Sequence, residues 1–158
     1  MKRLFTPWRM KYLKSNKKEE GCVFCSAIEQ NEDQKNLVIH RGEYSFVILN
    51  RYPYTSGHLM VIPYSHVEQL SELDPVTRAE MMELVNKASE VVKEVYKPEG
   101  FNIGINMGSA AGAGIAAHIH IHVVPRWFGD TNFIPVIGDT RLIPEELDDT
   151  YKHIKEVW

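Results

Sequence analysis

The chain is short of cysteine, of long apolar runs and of net charge, and each shortage excludes a class of protein. Two cysteines among 158 residues cannot staple a disulfide scaffold. The longest apolar runs span a few residues, as at Leu59-Met60-Val61-Ile62, where a membrane-crossing helix needs roughly 20. A formal net charge of −3, from 18 basic and 21 acidic residues, argues against bulk electrostatic binding to nucleic acid. Glycine and proline, at 10 and 8, are too few for a collagenous or low-complexity chain, and no internal repeat is visible. What remains, with 44% hydrophobic and 25% charged residues, is an ordinary globular composition at about the length of one domain.

Charge is unevenly placed along the chain. Residues 1–18 carry seven Lys or Arg and no acid, which leaves 11 basic against 21 acidic residues for the rest. This pattern reads as a basic N-terminal arm over residues 1–20 ahead of a single acidic domain over residues 21–158. Trp8 and Tyr12 give the arm aromatic groups with which to dock. No continuous apolar stretch follows the basic residues, so they do not read as a secretory signal. Together with thiols at Cys-x-x-Cys spacing, this places the protein in the reducing cytoplasm, with neither membrane nor nucleic acid as a partner.

One long helix is legible. Asp74-Pro75 is a start signal, and Met81, Leu84, Val85, Ala88, Val91, Val92 and Val95 follow at three- and four-residue spacing until Pro98-Glu99-Gly100 stops the run. Short β-like segments lie at residues 37–39, 44–49, 58–62, 101–106 and 118–124, and a second helix starts near Pro144 and runs through Leu147, Tyr151 and Ile154. Strands that do not alternate with helices predict an α+β fold and disfavour a doubly wound parallel sheet.

The segment His118-Ile-His120-Ile-His122-Val-Val124 carries the most chemistry. Side chains alternate along a strand, so the three imidazoles share one face, with Cα atoms roughly 6.5 Å apart, and the aliphatic residues take the other. Burying three titratable rings without partners is costly, which argues against a purely structural role. Two chemistries suit such a face: metal ligation by neutral imidazole, and attack of an imidazole nitrogen on phosphorus to form a covalent intermediate. Ahead of this strand, residues 104–114 are rich in small side chains that let backbone N–H groups cradle phosphate, and Asn106 and Ser109 add hydrogen-bonding groups. Within this stretch Gly112-x-Gly114-x-x-Ala117 matches a dinucleotide fingerprint, but a strand rather than a helix follows, so a Rossmann site is rejected.

The run from His118 to Val124, followed by Pro125-Arg126, resembles the signature of the histidine-triad (HIT) nucleotide hydrolases and transferases. Gly57-His58-Leu-Met-Val-Ile-Pro63-Tyr-Ser-His66 resembles a strand motif of the same family, and Asn50 lies where its ribose-contacting loop begins. The tail Trp127-x-Gly129-Asp130-Thr131-Asn132-Phe133 is most similar to the branch acting on diadenosine tetraphosphate, including its phosphorylases. The resemblance implies a five-stranded antiparallel sheet with a long helix and a C-terminal helix, paired as a homodimer. It further implies that His120 is the nucleophile that takes the nucleoside monophosphate and that the His118 carbonyl orients it. His122 would contact the phosphate or leaving oxygen, and His58 would support the triad. Asn50, Asn106, Gly108, Ser109, Gly112 and Gly114 are the substrate-binding candidates, and no catalytic cofactor is implied. Where many members of the family have Gln followed by Ser or Thr before the first histidine, this chain has Gly114-Ile115, which leaves hydrolysis and phosphorolysis both open. A phosphoramidase, a nucleotide-binding regulator with slow turnover and a His-x-His metalloenzyme stand as alternatives.

Cys22-Val-Phe-Cys25 alone is half a zinc site or a redox pair. In zinc-bearing triad proteins the matching ligands map here to Cys22, Cys25, His66 and His118, which implies structural zinc. Arg126 reads equally as a phosphate contact or a salt-bridge partner, and Tyr52 and Tyr54 as base-flanking or packing residues.

Overall fold

A computed structural model describes residues 21–130 and 143–158. The basic arm over residues 1–20, with Trp8 and Tyr12, and the motif residues Thr131, Asn132 and Phe133 lie outside the described residues. Two short helices, α1 (Val23–Glu29) and α2 (Asp33–Asn36), precede the strands β1 (Val38–Arg41), β2 (Ser45–Leu49) and β3 (Leu59–Pro63). The long helix α3 (Pro75–Tyr96), strands β4 (Gly100–Ile105) and β5 (Ile121–Arg126), and helix α4 (Leu147–Val157) complete the order. All five strands pair antiparallel in one sheet in the order β1-β2-β3-β5-β4, as the α+β reading predicts.

Strands β2 and β3 are buried at every position, so they read as unbroken apolar runs rather than as alternation. Helix α3 packs against β2, β3 and β5 through Met81, Leu84, Val85, Ala88, Val91 and Val92. Its start matches the predicted signal: the Asp74 carboxylate accepts from the Thr77 N–H at 2.7 Å, and Pro75 follows in the first turn. Lys97, at φ 48°, closes it one residue before Pro98. Glu80 on this helix clasps the β1–β2 turn, accepting from the Glu43 and Tyr44 N–H groups and from Ser45 Oγ at 2.6–2.8 Å. Helix α4 docks on β1, where the Tyr151 hydroxyl donates to the Val38 carbonyl at 3.2 Å.

Two differences from the predicted elements bear on the site. The histidine strand enters its ladder only at Ile121, so His118 and His120 precede it instead of lying within it. Helices α1 and α2 were not predicted, because seven and four residues are too few for a helical period to register.

Met81 is fully buried between α3 and the sheet. Met81→Ala is expected to lower unfolding stability by about 2–5 kcal/mol in urea denaturation, and a loss well under 1 kcal/mol would show that this helix is not a principal wall of the core.

Candidate active site

Three of the four predicted catalytic histidines hold one another in place, and their acceptors assign the tautomers. A carbonyl oxygen can only accept, so the 2.9 Å contact between His120 Nδ1 and the His118 carbonyl puts the His120 proton on Nδ1 and leaves a lone pair on Nε2. The His120 ring is buried and lies 4.8 Å from the His122 ring. Burial pushes the His120 imidazole below its ordinary value, and the bond to the His118 carbonyl works in the opposite direction.

His122 is set by a relay that starts at the main chain. The Tyr54 N–H donates to His58 Nδ1 at 3.1 Å, so the His58 proton sits on Nε2, which lies 2.9 Å from His122 Nδ1. His122 Nδ1 therefore accepts, and its Nε2–H is the donor offered to the cleft that His122 lines. Desolvation, with the neighbouring His120 as a smaller cause, pushes His122 down to about 4, so this donor is neutral imidazole at neutral pH. The Tyr54 ring packs on both His58 and His122, at centroid distances of 4.5 and 5.8 Å. Asn50 follows β2, accepts from the Tyr52 N–H at 2.9 Å, and brings Nδ2 to 3.4 Å from His58 Nδ1. Gly57, just before His58, has φ +80° and lies against α3, where a Cβ would sit 3.2 Å from the Tyr96 ring.

His118 turns away from the other two. Its Nε2–H donates to the Pro63 carbonyl at 2.8 Å, which leaves Nδ1 with a lone pair 3.3 Å from Cys22 Sγ and 3.7 Å from Cys25 Sγ. His66 Nδ1 lies 3.5 Å from Cys25 Sγ, and the four donor atoms all fall within 4.8 Å of one another. Usual zinc–sulfur and zinc–nitrogen bond lengths give a tetrahedron with edges of about 3.3–3.8 Å, and the three sulfur–nitrogen contacts above fall in that range. The Pro63 carbonyl supplies the outer partner that fixes a ligating imidazole in the required tautomer. All four predicted metal residues are thus brought together.

A cleft of about 420 Å³ opens on the His122 side of the triad, lined among others by Tyr54, Asn102, Asn106, His122 and Arg126. Of the predicted substrate residues, Asn106 lines it, while Gly108, Ser109, Gly112 and Gly114 are exposed on the loop beyond β4. That loop contains a single 3₁₀ turn over Ser109–Ala111, ended by Gly112 at φ +86°. Arg126 holds Asp130 at 2.5 and 2.7 Å and reaches Asn102 Oδ1 at 2.6 Å, which bears out the salt-bridge reading, and it also lines the cleft. Sequence reasoning missed the Tyr54 N–H and Phe24; a main-chain donor leaves no mark in side-chain identity, and Phe24 reads only as a spacer between cysteines.

A cleft lined by His122, with His120 beside it, on an antiparallel sheet defines a class, and similarity to known proteins defines the family. The HIT domain model matches residues 30–129. A Mycobacterium tuberculosis protein named AP-4-A phosphorylase is 42% identical over 165 aligned residues, covering 100% of this chain and 85% of that protein. An asymmetrical bis(5'-nucleosyl)-tetraphosphatase of Schizosaccharomyces pombe is 34% identical over 56% of this chain and 48% of its own length. Among solved structures, a Zn-bound histidine triad family protein from Mycobacterium smegmatis superposes with a TM-score of 0.71 at 31% identity, covering 87% of this chain and 92% of that one. The chain belongs to the HIT domain family and is an enzyme of it.

Long-range proton–nitrogen NMR at neutral pH is expected to show His120 protonated on Nδ1 and His122 on Nε2; the opposite tautomer at either ring would contradict the hydrogen bonds above. His122 is further expected to titrate well below 6.5. Between 6.5 and about 4 the unfolded chain binds a proton at His122 that the folded chain does not, so the stability His122 contributes is present above 6.5 and lost as pH falls towards 4. A His122 midpoint near 6.5 would remove this contribution.

Proposed function

We propose that the protein cleaves dinucleoside polyphosphates, with diadenosine tetraphosphate as the representative substrate, through a covalent nucleotide on His120. The observation that carries this reading is the Nδ1–H bond to the His118 carbonyl, which leaves Nε2 as a neutral nucleophile beside a hydrogen-bond donor on His122. The names of the two relatives above supply the substrate class.

In this mechanism His120 Nε2 attacks the α-phosphorus of the bound dinucleoside polyphosphate. A P–N bond forms and the P–O bond to the remaining polyphosphate breaks. His122 Nε2–H donates to the oxygen that gains charge, which the relay from Tyr54 through His58 keeps aimed at the cleft. Water or inorganic phosphate then attacks the same phosphorus as the P–N bond breaks; water gives the nucleoside monophosphate and loses its proton to solvent, phosphate gives the nucleoside diphosphate, and His120 is restored as the neutral Nδ1–H imidazole. Positioning and charge stabilisation supply most of the rate in such transfers. Asn50, Asn106 and the loop carrying Gly108, Ser109, Gly112 and Gly114 are assigned to hold the sugar and the phosphate chain.

Cys22, Cys25, His66 and His118 are the residues that would hold zinc. Four protein donors complete a tetrahedron, so zinc there would supply a structural cross-link. We assign residues 21–158 to one catalytic unit behind a basic arm, working in the cytoplasm as a homodimer. The exposed outer strand β4, whose Ile103 is 49% exposed, supports pairing with a second copy.

The test is chromatography of the products from diadenosine tetraphosphate, with and without inorganic phosphate, for the wild type and His120→Ala. Adenosine monophosphate and triphosphate formed without phosphate identify a hydrolase; phosphate-dependent diphosphate and triphosphate identify a phosphorylase. His120→Ala is expected to lose at least about 10³-fold in kcat/KM. Wild-type turnover by this variant would remove His120 as the nucleophile, and no turnover by the wild type would favour an amide substrate or a binding role.

A further inference from the structure

The β3–β5 ladder ends at the pair Val61 and Ile121, so the main chain that carries His118 and His120 lies beyond its support. Burial of Ile119 in the core and a few polar contacts hold this stretch instead. The Ile119 N–H donates to the Val67 carbonyl at 2.7 Å, and the His118 ring is engaged at both nitrogens, by the Pro63 carbonyl on one side and by the sulfurs of Cys22 and Cys25 on the other. The carbonyl of this same residue is the acceptor that turns the His120 ring.

A second link runs through Phe24, which sits between the two cysteines in sequence and is 4% exposed. Its ring stands edge-on to His118 at 5.6 Å and 89°, and lies 5.2 Å from the His120 ring at 63°. The helix that bears the thiols therefore touches the nucleophile directly. His66 adds a further ring contact on His118, at 4.9 Å and 77°.

We propose that the Cys22, Cys25, His66 and His118 group is a positioning element for His120, acting through the His118 carbonyl and the Phe24 ring, in addition to stapling the fold. The inference rests on the assignment of His120 as nucleophile. With the four donors held together, His118 cannot rotate without leaving the group, so its carbonyl stays on His120 Nδ1–H and Nε2 stays directed at phosphorus. With the donors released, residues 118–120 keep the packing of Ile119 and the Val67 and Pro63 hydrogen bonds, but the His118 ring loses its partners at Nδ1 and the His120 ring gains other orientations. The loss falls on kcat and spares KM, because the groups assigned to hold substrate lie on other segments. Phe24 and His118 are positioning residues in this scheme.

The experiment compares three forms of the full chain: zinc-loaded wild type, wild type stripped by a chelator under reducing conditions, and zinc-loaded Phe24→Leu, which keeps all four ligands. Zinc content and thermal midpoint are recorded for each. The readouts are the His120 ring nitrogens by long-range proton–nitrogen NMR, and kcat and KM for diadenosine tetraphosphate. Loaded wild type is expected to show one Nδ1–H tautomer of His120, and the other two forms a mixture, with kcat lower by about 10- to 100-fold and KM within about twofold. Identical His120 nitrogen shifts in all three forms would overturn the proposal, as would altered shifts with kcat unchanged. If stripping unfolds the chain, Phe24→Leu with its full zinc content decides the matter alone. Wild-type turnover by His120→Ala would instead overturn the nucleophile assignment, and the nitrogen shifts separate that failure from this one.

Discussion

One hydrogen bond, from His120 Nδ1 to the main-chain carbonyl two residues earlier, is the constraint on which the centre depends. An imidazole in water exchanges its proton between two nitrogens and turns about two side-chain bonds; a fixed carbonyl acceptor removes both freedoms at once. That acceptor belongs to the chain itself, so its placement is decided by backbone conformation and not by a neighbouring residue's rotamer. Everything around it serves to hold a short piece of extended backbone where the sheet no longer does.

The same principle of directional donors runs through the neighbouring histidines. Each ring has one nitrogen committed to a partner whose chemistry allows a single role: a carbonyl that only accepts for His118 and His120, and a main-chain N–H that only donates at the head of the His58 and His122 pair. The rings of the motif differ in which nitrogen carries the lone pair: Nδ1 on His118, turned to the thiols, Nε2 on His120, and Nδ1 on His122, which leaves its Nε2–H as a donor. Similar residues at regular spacing thus acquire distinct duties from their partners, while burial keeps all three rings of the motif below the ordinary imidazole range.

Much of this was legible from side-chain identity. Asp74-Pro75 and the apolar period after it located α3, and the alternating histidines marked the reactive strand. Cys22, Cys25, His66 and His118, distant in sequence, were joined only by resemblance to a known ligand set, since spacing alone cannot bring residues 22 and 118 together. What stayed hidden depends on the main chain or on short range. The Tyr54 N–H is a donor that any residue but proline would supply, the seven residues of α1 carry too little period to announce a helix, and the entry of β5 at Ile121 follows from where its neighbour's ladder ends. The exposed loop with Gly112 and Gly114 reads the same in sequence whether or not it faces a ligand.

The strand order has a consequence for how the molecule is assembled. Strand β5 is the last of the five along the chain, yet it occupies the slot between β3 and β4, with α3 spanning the gap between those two. The first three strands can zip together as successive hairpins, but the sheet closes only when β5 is inserted, and His58 meets His122 across 64 residues of chain. Contacts of such separation carry a loop-closure cost that local pairing does not, and they place the closing step late in folding. Until β5 is inserted His122 and His58 stay apart, so closing the sheet and joining this histidine pair are one event.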